Sequence, residues 1–290
     1  MTAVASPALA PSVETVNAAV PWCSFRLGLP LPSRMVRPDD RAALAGEVWV
    51  SCGEVLAVPS FFTRWQAALS TRMADTYSSV PQVTPAGYVM SWYAGMFGYL
   101  GGMLFHQARR VPALAPETLA FTVGPEFHRP VAVALRSPAF TCLPSDPGAG
   151  SPHATVVPDE DALAAVLRAE VAAHGARFVA AYRQASRFGP HTLWGAVTDA
   201  LDRGLWHLAH RGGDDPAGAA SAALVLPRRL APFTSGSTIR RVRGPSGAEH
   251  WTRTRQSCCF YYKLPEAEGP CVTCPRLTEA LRAQLLDEQS

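Results

Sequence analysis

Apolar residues return at two periods along the chain, and the switches between them mark out the elements. Pro59 opens a run in which Phe61, Trp65, Leu69 and Met73 recur every four residues, which predicts one buried face of a helix. Residues 86–105 carry no charge. Five glycines and four Tyr or Trp lie among those twenty residues, so a helix buried in protein is favoured over a membrane span, although the length suits either. Between 117 and 143 the period shortens to two: Leu119, Phe121 and Val123, then Val131, Val133 and Leu135, flank Gly124-Pro125 and predict a strand pair. Helical spacing resumes after Asp159 and Asp161 through Leu163, Val166, Leu167, Val171, Phe178, Val179 and Tyr182, and Gly189-Pro190 stops it. Leu193, Val197, Leu201, Leu205 and Leu208 predict a second helix ended by Gly212-Gly213, packed antiparallel on the first. Asp214-Asp215-Pro216 starts a short third helix reaching Leu226. From Thr238 the period returns to two, with residues 238–243 and 250–254 forming a hairpin around Gly244-Pro245-Ser246-Gly247, and Leu277, Leu281 and Leu285 make a final short helix. An Ala/Leu/Val-rich stretch interrupted by Gly53 follows Asp39 and Asp40.

These elements predict a mainly helical α+β protein. Residues 1–57 comprise a flexible lead-in and first elements, 58–230 form the body, and 231–290 make a small C-terminal module. Pro144 to Pro152, rich in turn formers, is the candidate boundary inside the body. Residues 1–25 contain no Lys or Arg, and Pro7, Pro11 and Pro21 break their apolar runs, so they do not read as a secretory signal.

With 290 residues, 48% of them hydrophobic and 17% charged, the chain is expected to bury its own core; general disorder and a disulfide-stapled mini-protein are excluded. The net charge of +3 arises from a basic set that is almost all Arg, with Lys263 the lone lysine, so Arg abundance alone says little about nucleic acid. Between 228 and 256, however, Arg228, Arg229, Arg240, Arg241, Arg243, Arg253 and Arg255 face only Glu249. Arg240, Arg241, Arg243, Arg253 and Arg255 are therefore candidates for docking an acidic partner protein or an acidic ligand, against the plainer reading of a solvated hairpin face.

Cysteines change the picture most. Of seven, Cys258, Cys259, Cys271 and Cys274 fall in the last 33 residues, as a vicinal pair, eleven spacer residues and a Cys-x-x-Cys pair followed by Pro275. Four thiolates suit tetrahedral zinc or an iron–sulfur cluster. Adjacent side chains on extended backbone point apart, so both sulfurs of Cys258-Cys259 reach one ion only through an unusual conformation; a [2Fe-2S] cluster is favoured, with zinc as the alternative. Backbone N–H groups of Tyr261 and Tyr262 are candidate donors to the sulfurs. Cys23, Cys52 and Cys142 are isolated and expected to be buried bystanders. His207 and His210 lie one helical turn apart, where a solvated pair is favoured over a metal site. Trp194, Trp206, Tyr182 and Arg187 are candidates for a ligand cleft, although core packing is favoured for the three aromatics. Neither a dinucleotide fingerprint nor a Walker sequence is present, so electrons come from outside.

The run Arg255-Gln256-Ser257-Cys258-Cys259-Phe260-Tyr261-Tyr262, closed by Cys271-Val272-Thr273-Cys274-Pro275, resembles the C-terminal motif of the FhuF-type ferric-siderophore reductases. The His191-Thr192-Leu193-Trp194-Gly195 segment is similar to a Leu-Trp-Gly segment of that family. The resemblance implies one [2Fe-2S] cluster per chain on Cys258, Cys259, Cys271 and Cys274, hence a C-terminal iron–sulfur module. It also implies a cytoplasmic enzyme reducing Fe(III) in an imported, hydroxamate-type siderophore. The expected partners are the ferric siderophore and an external donor such as a ferredoxin or flavin reductase. No nucleic acid and no transmembrane span are expected; peripheral membrane contact is compatible. The rival readings are a zinc-stabilised module whose basic hairpin binds nucleic acid, and a non-redox siderophore-biosynthesis protein of related fold.

Overall fold

The computed structural model describes residues 8–30, 33–46 and 48–289. In chain order the elements are α1 (Ala10–Ala19), β1 (Ser24–Leu27), β2 (Arg34–Met35), β3 (Val48–Ser51), α2 (Cys52–Ala57), α3 (Ser60–Met73), α4 (Val83–Ala108), β4 (Arg110–Pro112), β5 (Leu119–Val123), β6 (Pro130–Leu135), β7 (Phe140–Cys142) and β8 (Ala154–Val156). They continue with α5 (Glu160–Ala185), α6 (Pro190–Gly212), α7 (Asp215–Val225), β9 (Arg240–Arg243), β10 (Glu249–Thr252) and α8 (Glu279–Glu288). The architecture is mainly helical α+β, as the periodicity predicts.

Long helix α4 is the spine. It is buried on nearly every side, and no helix among the described residues is long and apolar enough to cross a membrane. Its glycines explain how it packs. A Cβ at Gly102 would stand 2.8 Å from Leu205 N on α6, and one at Gly204 of α6 would stand 2.4 Å from Tyr99 O on α4, so the two backbones touch with no side chain between them. Contacts advance together along both helices, Gly98 on Ala200 and Gly102 on Leu205, so α4 and α6 run parallel and start at the same end of the molecule. Helix α5 joins α6 by a short connection as expected and packs on it at Gly175, against Trp194 and Val197; the closest backbone approach of α6 is nevertheless with α4.

Strands β1-β6-β5-β3-β2 form the larger sheet, with β6 antiparallel to β5, β5 antiparallel to β3, and parallel pairs at both edges. The alternation sorts its faces: Val50, Leu119, Phe121, Val133 and Leu135 join the main core, while Ala120, Ala132 and Ala134 lie on the other side under Trp49. Val131 departs from the predicted pattern. The register shifts between Thr122 and Val123, so that Val123 pairs with Pro130 and Val131 is thrown outward.

Two expectations are corrected. Residues 1–7 of the supposed lead-in lie outside the described residues, but from Leu9 onward the segment is structured: α1 buries Val13 and Val16, and β1 pairs with β6 in the sheet. Pro11 stands in the first turn of α1 and Pro21 just past its end, where proline is tolerated. The stretch 144–152 does not link separate bodies; it connects the parallel neighbours β7 and β8, and Asp146 within it accepts two hydrogen bonds (2.7 and 2.6 Å) from the buried Arg110 guanidinium.

The β9–β10 hairpin forms as predicted, with Arg243 paired to Glu249 across it and Gly247 in the left-handed region at its turn. Helix α8 staples it: Asp287 accepts from Ser246 N, Ser246 Oγ and His250 Nε2, each at 2.7 Å.

Candidate metal centre

Strand β10 delivers the chain to the common starting end of α4 and α6, and a loop from Arg255 to Phe260 crosses both helices there. Asp199 of α6 holds it. Its carboxylate accepts from Gln256 N (2.7 Å), Ser257 N (2.9 Å) and Ser257 Oγ (2.6 Å), and lies 3.6 Å from Arg253 and 3.7 Å from Arg255. Two glycines make room for the crossing: a Cβ on Gly195 would stand 2.8 Å from Gln256 O, and one on Gly87 of α4 would stand 2.9 Å from Cys259 O. Thr84 Oγ1 donates to Phe260 O at 3.2 Å. Gly195 is the glycine of the Leu-Trp-Gly segment, which thereby acquires a physical reason: no side chain fits where the loop rides over α6.

The vicinal pair takes the irregular turn that its chemistry requires. Phe260 sits in the left-handed region (φ 60°), and its N–H donates back to Cys258 Sγ at 3.3 Å. The Phe260 ring stacks on Phe188 (centroids 5.4 Å apart, planes 7° apart) and so pins the turn to the α5–α6 connection. Tyr261 N–H serves Cys259 and Thr273 N–H serves Cys271. Of the two backbone donors expected from the sequence, Tyr261 is one; Tyr262 instead lies under the Arg276 guanidinium, 4.8 Å from its ring centroid.

The second pair is fixed from two sides. Arg255 N donates to Thr273 O (2.9 Å), tying the two cysteine loops together, and Cys274 N closes a turn on Cys271 O (2.8 Å). From α8, the buried Arg282 donates through Nη1 to Val272 O and through Nη2 to Cys274 O (3.0 Å). All seven cysteines are free; Cys271 is exposed, Cys258 and Cys259 half-buried, and Cys274 buried, so the site reaches the surface along one edge.

The four thiols stand in two couples, Cys258 with Cys274 and Cys259 with Cys271. The Cys259 thiol donates to Cys271, whose pKa falls to about 5, while Cys259 is pushed up by giving that hydrogen bond and by burial. Burial also raises Cys258. Among the described residues no three His, Cys, Asp or Glu side chains converge as on a single ion. Two sulfur pairs joined by hydrogen-bonded backbone, with N–H donors aimed at three of the sulfurs, match the donor set of a two-iron cluster, in which each iron takes two thiolates.

The remaining candidates fall elsewhere. Arg253 is buried and Arg255 half-buried, and both turn inward toward Asp199. Arg240 is paired with Glu279 (2.6 Å), while Arg241 (2.7 Å) and Arg243 (3.3 Å) share Glu249, so the basic hairpin is largely neutralised by its own neighbours. Trp194 packs over Gly175 and edge-on to Phe233, on the α5 side of α6; Arg187 is exposed beside Phe188. Tyr182 and Trp206 are buried in the body. Cys23 and Cys52 are buried, their thiols pushed up to about 12, and Cys142 is buried too. His207 packs between Trp22 and Tyr99 while His210 meets Asp215 at 2.7 Å, so the two diverge and neither is simply solvated. Sequence reasoning missed Asp199, Arg282 and Ser91 of α4, whose Oγ accepts from Arg255 Nη2 at 3.0 Å. For Asp199 a signal exists: Asp199 and Asp202 fall three apart on the apolar face of α6, where an acidic pair requires partners.

No curated protein matches the chain. Residues 255–276 match the FhuF 2Fe-2S C-terminal domain, with Cys258, Cys259, Cys271 and Cys274 all inside the matched segment. The loop laid over α4 and α6 and clamped by α8 is similar to the FhuF 2Fe-2S C-terminal domain, and that similarity implies a [2Fe-2S] cluster.

Proposed function

We propose that this protein is a ferric-siderophore reductase that passes one electron at a time to Fe(III) bound by an imported siderophore, releasing Fe(II). The observation that carries the reading is the pair of thiol couples within the matched domain, with one edge at the surface. Cys258, Cys259, Cys271 and Cys274 are the proposed ligands, and a [2Fe-2S] group held by them supplies a one-electron carrier. The chain's own part is to hold the sulfurs. Asp199 and Arg282 fix the two loops, the N–H groups of Phe260, Tyr261 and Thr273 stabilise thiolate charge, and Phe188 and Phe260 cover one side.

Hard Fe(III) is held tightly by oxygen donors such as hydroxamates, whereas Fe(II) is released more readily, so a single electron suffices and the chemistry needs no acid, base or nucleophile. The electron enters from an external donor protein or reduced flavin. Seven free cysteines suit a reducing compartment, and we assign the protein to the cytoplasm.

A single-turnover experiment tests the assignment. Protein reduced with dithionite, desalted anaerobically and mixed with a ferric trihydroxamate should yield about one Fe(II) per chain, captured by an Fe(II)-specific chromogenic chelator. Cys258→Ser should yield none. Fe(II) no higher than from Cys258→Ser would reject ferric reduction.

A further inference from the structure

Arg255 is set apart from the other arginines near the cysteines by what its charge lacks and by where it is aimed. Arg240, Arg241 and Arg243 each meet a carboxylate of their own surface, and Arg282 spends two donors on the carbonyls of Val272 and Cys274. The Arg255 side chain runs inward from the loop, three residues ahead of Cys258. Its Nη2 donates to Ser91 Oγ of α4 (3.0 Å) and to Ser257 Oγ (3.5 Å), both neutral. Its Nε is buried and has no hydrogen-bond partner among the described residues. The nearest carboxylate, Asp199, is 3.7 Å from Nε, is shared with Arg253 at 3.6 Å, and has its oxygens taken up by three donors of the loop. Arg253 faces Asp202 as well, whereas Arg255 has only its share of Asp199.

The sulfurs complete the balance. The Arg255 charge acts directly on Cys258, Cys259 and Cys271, three of the four sulfurs. The backbone N–H of the same residue bonds Thr273 O between Cys271 and Cys274, so the cation cannot drift from the site. A fixed cation away from water interacts strongly with charge that appears beside it. A cluster on four thiolates is anionic and gains a further negative charge on taking an electron, so a neighbouring cation favours the reduced form.

We propose that Arg255 is a charge-compensating residue that raises the reduction potential of the cluster held by Cys258, Cys259, Cys271 and Cys274, and is not a docking contact. The inference rests on the cluster assignment above. It makes the loop residue preceding the vicinal cysteines a determinant of which electron donors and which ferric complexes the protein can serve.

The test is an anaerobic potentiometric titration of the loaded protein, followed by visible absorbance and by the EPR signal of the reduced state. At the wild-type midpoint, Arg255→Gln should show at least a tenfold lower ratio of reduced to oxidised cluster, ~59 mV for a one-electron couple. Arg255→Lys, which keeps the charge, should stay within about threefold of wild type. Ser91→Asp places a carboxylate against Nη2 with Arg255 and all four cysteines in place; it should shift the ratio in the same direction, and it decides the matter if Arg255→Gln fails to hold a cluster. An unchanged midpoint in loaded Arg255→Gln, or in Ser91→Asp where the first cannot be loaded, overturns the inference. Wild-type protein without a cluster would instead overturn the cofactor assignment.

Discussion

At the scale of single residues, the site depends on charges in the interior. Asp199 gathers two backbone N–H groups, a hydroxyl and two guanidinium groups around one carboxylate, and it does so from the middle of an apolar helix face. Removing one member of such a network strands the others without water, which costs about 3–5 kcal/mol for a buried pair. Asp199→Asn should therefore lower the urea midpoint by an amount of that order and weaken retention of the bound group; an unchanged midpoint would mean that the loop is held some other way. The sequence makes the four cysteines visible through their spacing, and it makes Arg253 and Arg255 visible as charge. It does not show which way an arginine points. Two residues apart on a strand-like segment, these two lie on the same side, and that side meets Asp199, a partner more than fifty residues away that only tertiary packing brings near.

Helices carry the next level. His174 of α5 is fully buried, donates from Nδ1 to Leu114 O (2.7 Å), accepts from Tyr93 OH of α4 (3.2 Å) and stacks on Phe97, so it joins α4, α5 and the segment before β5. Burial lowers its pKa to about 4, below the ordinary histidine value. The unfolded chain therefore binds more protons between those values, and the stability contributed by neutral His174 is complete above pH ~6.5 and lost as pH falls toward about 4, a range worth at most roughly 3 kcal/mol. The gap in melting temperature between wild type and His174→Gln should be widest near neutrality and narrow toward pH 4; a constant gap would contradict a buried neutral imidazole. Gly204→Ala tests the parallel contact of α4 and α6. With Tyr99 O 2.4 Å from the added Cβ, the helices must separate, at a cost of about 1–3 kcal/mol in denaturant midpoint, and a neutral substitution would refute the close approach.

The same scale shows why some elements were legible and others were not. α3, α5, α6, α7 and the β9–β10 hairpin announce themselves by period and by stop signals such as Gly189-Pro190 and Gly213. Strands β1, β2 and β3 are four residues or fewer and have too few positions to establish a period; β3 is moreover buried on both faces, so its apolar run does not alternate. α4 was ambiguous because twenty uncharged residues suit a membrane or a core equally by length. Its glycines settle the matter only once Gly204 and Ala200 of α6 are seen against them.

Across the whole molecule, the C-terminal segment does not stand alone. The cysteine loops take their floor from α4 and α6, some sixty or more residues upstream, and their roof from α8, beyond the matched segment. A short motif can therefore be recognised by itself, but the groups that position it are distributed over the chain. Removing residues 279–290 deletes Arg282 and Asp287 while sparing all four cysteines; it should leave most of the far-UV helicity and cost about 10–100-fold in retention of the bound group against a chelator, as loss of supporting contacts does at metal sites. Undiminished retention would show that α8 is dispensable to the site.

The central claim is that Cys258, Cys259, Cys271 and Cys274 hold a two-iron cluster, and the visible spectrum of anaerobically purified protein, read with its metal content, tests it most directly. The account predicts a red-brown protein with about two irons and two sulfides per chain, whose charge-transfer bands bleach on adding dithionite. A colourless protein carrying about one zinc per chain would contradict it.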